Sequence, residues 1–222
     1  MNQIIALPVF YSLRNCPYAM RARLAIYAAK QQVQLRDLVL SNKPAEMLAV
    51  SPKGTVPVLV TASNQVIDES LAIMQWAFSQ SDPDDYLDSK APNALAEMLA
   101  VIEIFDHEFK GHLEKYRCSK RYHEPSLITD RQQCERYLTD LELRLCQHQY
   151  LISDKPSLVD LALMPFIRQF ARVERQWYLQ APYPKLRHWL NGYLQSRMFS
   201  KVMEQHPLWL DAKQEVVFGD RT

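Results

Sequence analysis

A chain of 222 residues, 48% of them hydrophobic, has room for one large domain or two small ones and is too apolar to stay disordered. A net charge of +1, without a long block of like charge, argues against nucleic acid as the main partner, because phosphate neutralisation needs a concentrated basic face. The four glycines include no phosphate-cradling loop, which argues against the usual nucleotide-binding enzymes.

Met1-Asn2-Gln3-Ile4 lacks a basic leader, and Pro8 interrupts its apolar run, so no signal peptide is expected. No stretch is long and apolar enough to predict a membrane span. Cys16, Cys118, Cys134 and Cys146 show no zinc-knuckle spacing, and a chain of this size needs no disulfide staples. No metal is expected, and the cysteine pattern suits a reducing compartment such as the cytoplasm.

In chain order, Ile4 to Tyr11 reads as a buried strand, and Met20 to Lys30 carries apolar residues at helical spacing. Pro17 suits the first turn of that helix, where its missing N–H has no partner to lose. Cys16 then falls at the helix N-terminus, where unpaired backbone N–H groups and the macrodipole favour an anion. The thiolate is the reactive form of cysteine. A cysteine is more often a small buried hydrophobe, but the strand-to-helix junction and the following proline favour a nucleophile here. Ala19 stands where dithiol redox proteins carry a second cysteine, so a mixed disulfide on Cys16 needs an external thiol to resolve it.

Val33 to Leu40 reads as a strand and Pro44 to Val50 as a short helix. Thr55 to Val60 reads as a β-branched strand running into the turn Ser63-Asn64-Gln65, and Val66-Ile67 as a second short strand. Pro57 belongs at a strand start or sheet edge, since it cannot donate to the ladder. A cis Val56–Pro57 bond would turn the Val56 backbone toward an extended peptide; an ordinary trans bond is the commoner alternative. Asp68-Glu69-Ser70 begins the helix Glu69 to Phe78, where it suits either carboxylate binding or simple capping.

Residues 1–80 therefore predict a βαβ-αββα unit, and residues 81–90 a polar, proline-containing linker. Ala91 to Tyr116, Ile128 to Gln149, Leu158 to Arg172 and Leu186 to Gln195 show helical spacing with no convincing strand, so residues 91–222 predict an all-helical part, with Ser157-Leu158-Val159-Asp160 in capping-box form and Pro165 inside the following helix. Asp160 reads as a structural cap. His107 and His112 read as surface or satisfied histidines.

Cys16-Pro17-Tyr18-Ala19, Lys43-Pro44, Gly54-Thr55-Val56-Pro57-Val58-Leu59, Glu69-Ser70 and Ser157-x-x-Asp160 occur here in one order. In that order and spacing the chain resembles the cytosolic glutathione S-transferase family, its omega-like, cysteine-containing branch in particular. The resemblance spans nearly the whole chain and implies a thioredoxin-like N-terminal domain followed by an all-helical C-terminal domain. It also implies glutathione as co-substrate, an unknown disulfide or electrophile as second substrate, and a homodimer.

Residue by residue, the resemblance implies that Cys16 faces the glutathione sulfur and that Tyr18 lines the site. Leu40 and Lys43 meet the glycyl end, with Lys43 pairing the carboxylate. Val56, before a cis Pro57, pairs through its backbone with the cysteinyl part, and Glu69 and Ser70 hold the γ-glutamyl end. Lys53 is a weaker second cation. Tyr11 and Ser12 lie near enough to leave open a hydroxyl-activated mechanism. The expected activity is thiol transfer through Cys16, reducing a disulfide or dehydroascorbate. The rivals are conjugation of glutathione to electrophiles and a non-catalytic binding protein. The aromatics Phe105, Tyr116, Phe166, Phe170 and Trp177 are candidates to contact the second substrate, although helix aromatics are more often core.

Overall fold

Strand β1 spans Val9–Ser12, which is shorter than the expected run. The computed structural model describes residues 6–219, so Ile4 and Ile5 lie outside the described residues. Pro8 precedes the ladder with no N–H to give, and its carbonyl accepts from the Gln34 N–H at 2.7 Å. Helix α1 (Pro17–Ala28) starts with Pro17 in its first turn and Cys16 as its N-cap. Strand β2 (Val33–Asp37) lies parallel to β1. Helix α2 (Ala45–Val50) follows Pro44, and strand β3 (Val58–Val60) pairs antiparallel with β1.

A turn through Asn64, at φ 63°, joins β3 to strand β4 (Val66–Ile67), and helix α3 (Ser70–Gln80) closes the unit. This is the expected βαβ-αββα order, and the arrangement is thioredoxin-like. Alternation along β1 sends Tyr11 and Ser12 to opposite faces of the sheet. Ser12 meets Arg23 of α1, while Tyr11 joins Leu38, Met47, Val56 and Val58 in an apolar cluster on the other side.

The first unit includes a segment the sequence places elsewhere. The described residues up to Asp84 group with those from Arg197 onward, while Asp85–Ser196 form the second unit. Helix α10 (Arg197–Val202) packs on α1, a short α11 (Trp209–Ala212) follows, and strand β5 (Val216–Phe218) pairs antiparallel with β2. The sheet thus has five strands, in the order β4-β3-β1-β2-β5. The expectation of one all-helical part from residue 91 to 222 is corrected at its end. A three-residue strand is too short for a readable alternation, and its partner lies far away in the sequence.

Gly219 explains how that strand can end where it does. It adopts φ +105°, and an added Cβ would stand 1.8 Å from the Gln31 carbonyl oxygen, so only glycine fits this approach. Arg23 fastens the same segment from inside. Its side chain is fully buried, with Nη2 2.6 Å from Asp37 Oδ1, Nε donating to Ser12 Oγ at 2.8 Å and Nη1 donating to the Val202 carbonyl at 3.2 Å.

The second unit is helical. Helix α4 (Ala94–Ile104) runs through a π-helical turn at Phe105–Phe109 into α5 (Lys110–Tyr122), so the single helix expected from Ala91 to Tyr116 has an irregular middle. Helices α6 (Leu127–Gln147), α7 (Leu158–Ala171), α8 (Arg175–Gln180) and α9 (Pro184–Leu194) complete it. Helix α7 is the buried centre despite Pro165 within it. Its capping box forms as expected: Asp160, fully buried, accepts from the Ser157 N–H and hydroxyl, from the Leu151 N–H and from the Trp189 indole. Phe105, Tyr116, Phe166 and Phe170 are buried, and Phe170 is the hub of a ring cluster with Phe109, Tyr116, Trp177 and Tyr178. Among the described residues, no helix is long and apolar enough to cross a membrane.

Candidate functional site

Cys16 occupies the position its neighbours dictate. Its backbone is extended, at φ −76° and ψ 125°, its N–H donates to the Leu13 carbonyl at 3.0 Å, and its own carbonyl accepts from the Met20 N–H. The side chain makes no capping bond and is partly exposed. It leans on the apolar cluster of Tyr11, Leu38, Met47, Val56 and Val58, with Sγ 4.0 Å from the Val56 carbonyl oxygen. The reading of Cys16 as a fully buried hydrophobe is therefore set aside.

The other three cysteines differ from it. Cys134 is fully buried, and burial pushes its thiol up to about 12, so at neutral pH it is protonated as well as inaccessible. Burial and the neighbouring Glu114 carboxylate also raise the Cys118 thiol. Cys146 is exposed on the helical unit.

The two hydroxyls nearest Cys16 in sequence are already committed. Ser12 is fully buried and accepts from Arg23, and Tyr11 is nearly so, its oxygen accepting from Arg36 Nη1 at 2.7 Å. Burial raises the Tyr11 phenol, which outweighs the opposing pull of Arg36. A hydroxyl held in this way is poorly placed to activate a substrate thiol.

The Val56–Pro57 bond is cis, which resolves the alternative the sequence leaves open. Val56 stands ahead of β3, and neither its N–H nor its carbonyl has a backbone partner among the described residues. The loop before it is pinned at both ends: Gly54 N–H donates to the Ser51 carbonyl, and the Ser51 hydroxyl donates to Asp68 at 3.1 Å. Ser51 was not singled out from sequence, yet it ties the Val56 loop to the start of α3.

At that start, Glu69 is the N-cap residue but makes no side-chain capping bond, so capping does not account for it. Its exposed carboxylate forms a very short ion pair with Lys53, which engages the weaker of the two expected cations. Ser70 is buried, and its oxygen accepts from Arg21 Nε at 2.9 Å. Arg21 was also missed. The signal was available, since arginines at positions 21 and 23 interrupt a helix that is otherwise apolar on nearly every face.

Lys43 pairs with no carboxylate among the described residues, and it is half-buried beside Gly54. Gly54 has φ +64°, and an added Cβ would stand 3.3 Å from Lys43 Nζ, so the glycine leaves the ammonium its place. Leu40 is exposed, next to an isolated bridge between Val39 and Asn42. Tyr18 is half-buried one turn into α1, with the Arg21 guanidinium 5.7 Å from its ring centre.

A thioredoxin-like sheet unit bearing a cysteine at the first helix and a cis proline at the third strand, together with a helical unit, defines the class of the protein. The family models described as "Glutathione S-transferase, N-terminal domain" and "Glutathione S-transferase, C-terminal domain" match residues 10–84 and 91–192. The chain belongs to the glutathione S-transferase family. It is 26% identical over 191 residues to glutathione S-transferase omega-1 of Mus musculus, covering 86% of this chain and 78% of that one. It is 37% identical over 70 residues to a probable glutathione transferase of Aplysia californica, covering 32% of this chain and 76% of that one. Among solved structures, a glutathione transferase family member from Pseudomonas fluorescens with two glutathione bound superposes at a TM-score of 0.78. It is 16% identical, with 91% of this chain and 94% of that one covered. A glutathione transferase from Phanerochaete chrysosporium in complex with oxidized glutathione gives 0.75 at 19% identity, over 89% and 94% of the two chains.

Proposed function

We propose that the protein is a glutathione-dependent thiol transferase that works through a mixed disulfide on Cys16. One observation carries the reading. A partly exposed cysteine stands at the N-cap position of α1 beside the Val56 carbonyl, while the hydroxyls of Tyr11 and Ser12 are buried and bonded to arginines.

Glutathione is an extended anionic tripeptide with a carboxylate at each end, and the groups around Cys16 suit it. The Val56 N–H and carbonyl pair with the cysteinyl part as an added strand would. Lys43 takes the glycine carboxylate, with Leu40 against the glycyl backbone. The backbone and hydroxyl at Glu69-Ser70 receive the γ-glutamyl end, with Arg21 behind Ser70 and Lys53 holding Glu69. Tyr18 and the cis Pro57 shape the walls.

Cys16 as thiolate attacks the glutathione sulfur of a substrate disulfide, forming the Cys16–glutathione bond and expelling the substrate thiolate, which takes up a proton. A second glutathione, as thiolate, attacks the bound glutathione sulfur, releasing glutathione disulfide and restoring the Cys16 thiolate. Each step breaks one S–S bond and makes another, so the disulfide passes from the substrate to Cys16 and on to the second glutathione. The net change is substrate–glutathione disulfide plus one glutathione to substrate thiol plus glutathione disulfide. Position 19 is alanine, so no neighbouring thiol competes with the second glutathione.

Glutathione-dependent reduction of a small mixed disulfide and conjugation to a chlorinated aromatic, assayed side by side, test the reading. Disulfide reduction is expected to dominate. Conjugation without disulfide reduction would overturn it.

A further inference from the structure

Helix α2 is poorly equipped to hold itself in place. It has six residues, fewer than an isolated helix needs, and Met47 is its one buried side chain, while Leu48 and Val50 are exposed. Yet its first turn follows Lys43-Pro44, and Lys43 is the cation left without a carboxylate partner among the described residues. The returning C-terminal segment supplies anchors that α2 lacks. The Trp209 indole N–H donates to Glu46 Oε1 at 2.5 Å and holds that carboxylate below its ordinary range. The centre of the same ring lies 4.2 Å from the Arg36 guanidinium, which is also 5.3 Å from the centre of the Tyr11 ring. Arg36 and Lys213 each reach Glu46 at 3.7 Å.

The segment also touches the loop before Cys16. Arg14 donates to the Met203 carbonyl at 3.4 Å. From Val202 to Gly219 it therefore runs past the β1–α1 loop, α1, β2 and α2, and it is locked at its far end by the Gly219 approach to Gln31.

We propose that this segment is a strap that sets the position of Lys43, and through it the affinity for the carboxylate at the glycyl end of glutathione. Trp209 is the positioning residue, acting through Glu46. The inference rests on the glutathione reading above and adds a determinant outside the binding groups themselves. It assigns the strap no part in the chemistry at sulfur.

The test compares Trp209→Ala, Trp209→Phe and Gly219→Ala with the unaltered protein, reading KM for glutathione, kcat and hydrogen exchange of α2. Loss of one charge-assisted hydrogen bond and its stacking predicts that Trp209→Ala raises KM about tenfold, with kcat changed by less than about twofold. Trp209→Phe keeps a ring over Arg36 but loses the N–H donor, so it should fall between the two. Gly219→Ala, which acts at the opposite end of the strap, should raise KM in the same direction, and exchange should speed up in α2 in all three.

A double-mutant cycle with Lys43→Met decides the route. If Trp209 acts through Lys43, Trp209→Ala adds little once the ammonium is gone. Full additivity would overturn the proposal, as would variants that bind glutathione as the unaltered protein does. Failure of the unaltered protein to bind glutathione would instead remove the underlying reading.

Discussion

Replacing Cys16 with alanine is expected to lower glutathione-dependent disulfide reduction by at least about a thousandfold, while glutathione still binds within a few-fold of its original affinity. The split follows from the geometry. The proposed binding groups come from Lys43, the Val56 backbone and the start of α3, so deleting one sulfur leaves them in place, whereas the covalent step loses the atom that carries it. Cys134 is buried and protonated, and Cys118 and Cys146 lie on the helical unit. Cys16→Ser should be nearly as inactive, because a hydroxyl does not form the disulfide on which turnover depends. A conjugating enzyme would show the opposite pattern, with Cys16→Ala retaining its main activity. Steady-state rates and a glutathione titration on the same preparations separate the two outcomes.

Asp37→Ala is expected to destabilise the fold by about 3–5 kcal/mol, read as a lower midpoint in urea. Arg23 is fully buried, and removing Asp37 leaves its charge with the Ser12 hydroxyl and the Val202 carbonyl as its hydrogen-bond partners among the described residues. The pair is not itself a large source of stability, since burial works against the charged form of both members and moves the Asp37 carboxyl up and the Arg23 guanidinium down. The double variant Arg23→Met with Asp37→Leu should therefore recover most of the loss, because it replaces two desolvated charges by apolar side chains of similar size. A double variant as unstable as Asp37→Ala alone would show that the arginine contributes mainly by tying Ser12 and the returning segment to α1.

What could be read in advance was local. Pro17 at the first turn of α1 and Cys16 before it are specified by neighbours in the chain, and the structure places both as expected. The Ser157 to Asp160 capping box spans four consecutive residues and forms in full. Val56-Pro57 was legible as a strand start, but the isomer of its bond depends on surroundings that a sequence pattern does not carry. What a local pattern does not carry is long-range. Trp209 and Glu46 are 163 residues apart, and nothing in a four-residue helix or a three-residue strand marks it as part of a distant sheet. Arg21 and Arg23 stand out as charges within an apolar helix, but that pattern does not name their partners, since Ser70 and Asp37 come from other elements. The aromatics weighed as substrate contacts show a related limit. Phe105, Tyr116, Phe166 and Phe170 are buried, and helical spacing cannot separate core rings from pocket rings.

The most direct measurement is a peptide map of the protein after exposure to stoichiometric oxidised glutathione, followed by addition of reduced glutathione. One glutathionyl group should appear on Cys16, with none on Cys134, and it should leave when the reduced tripeptide is added, with activity returning in step. A map in which Cys16 stays free while turnover continues would contradict the mechanism at its root.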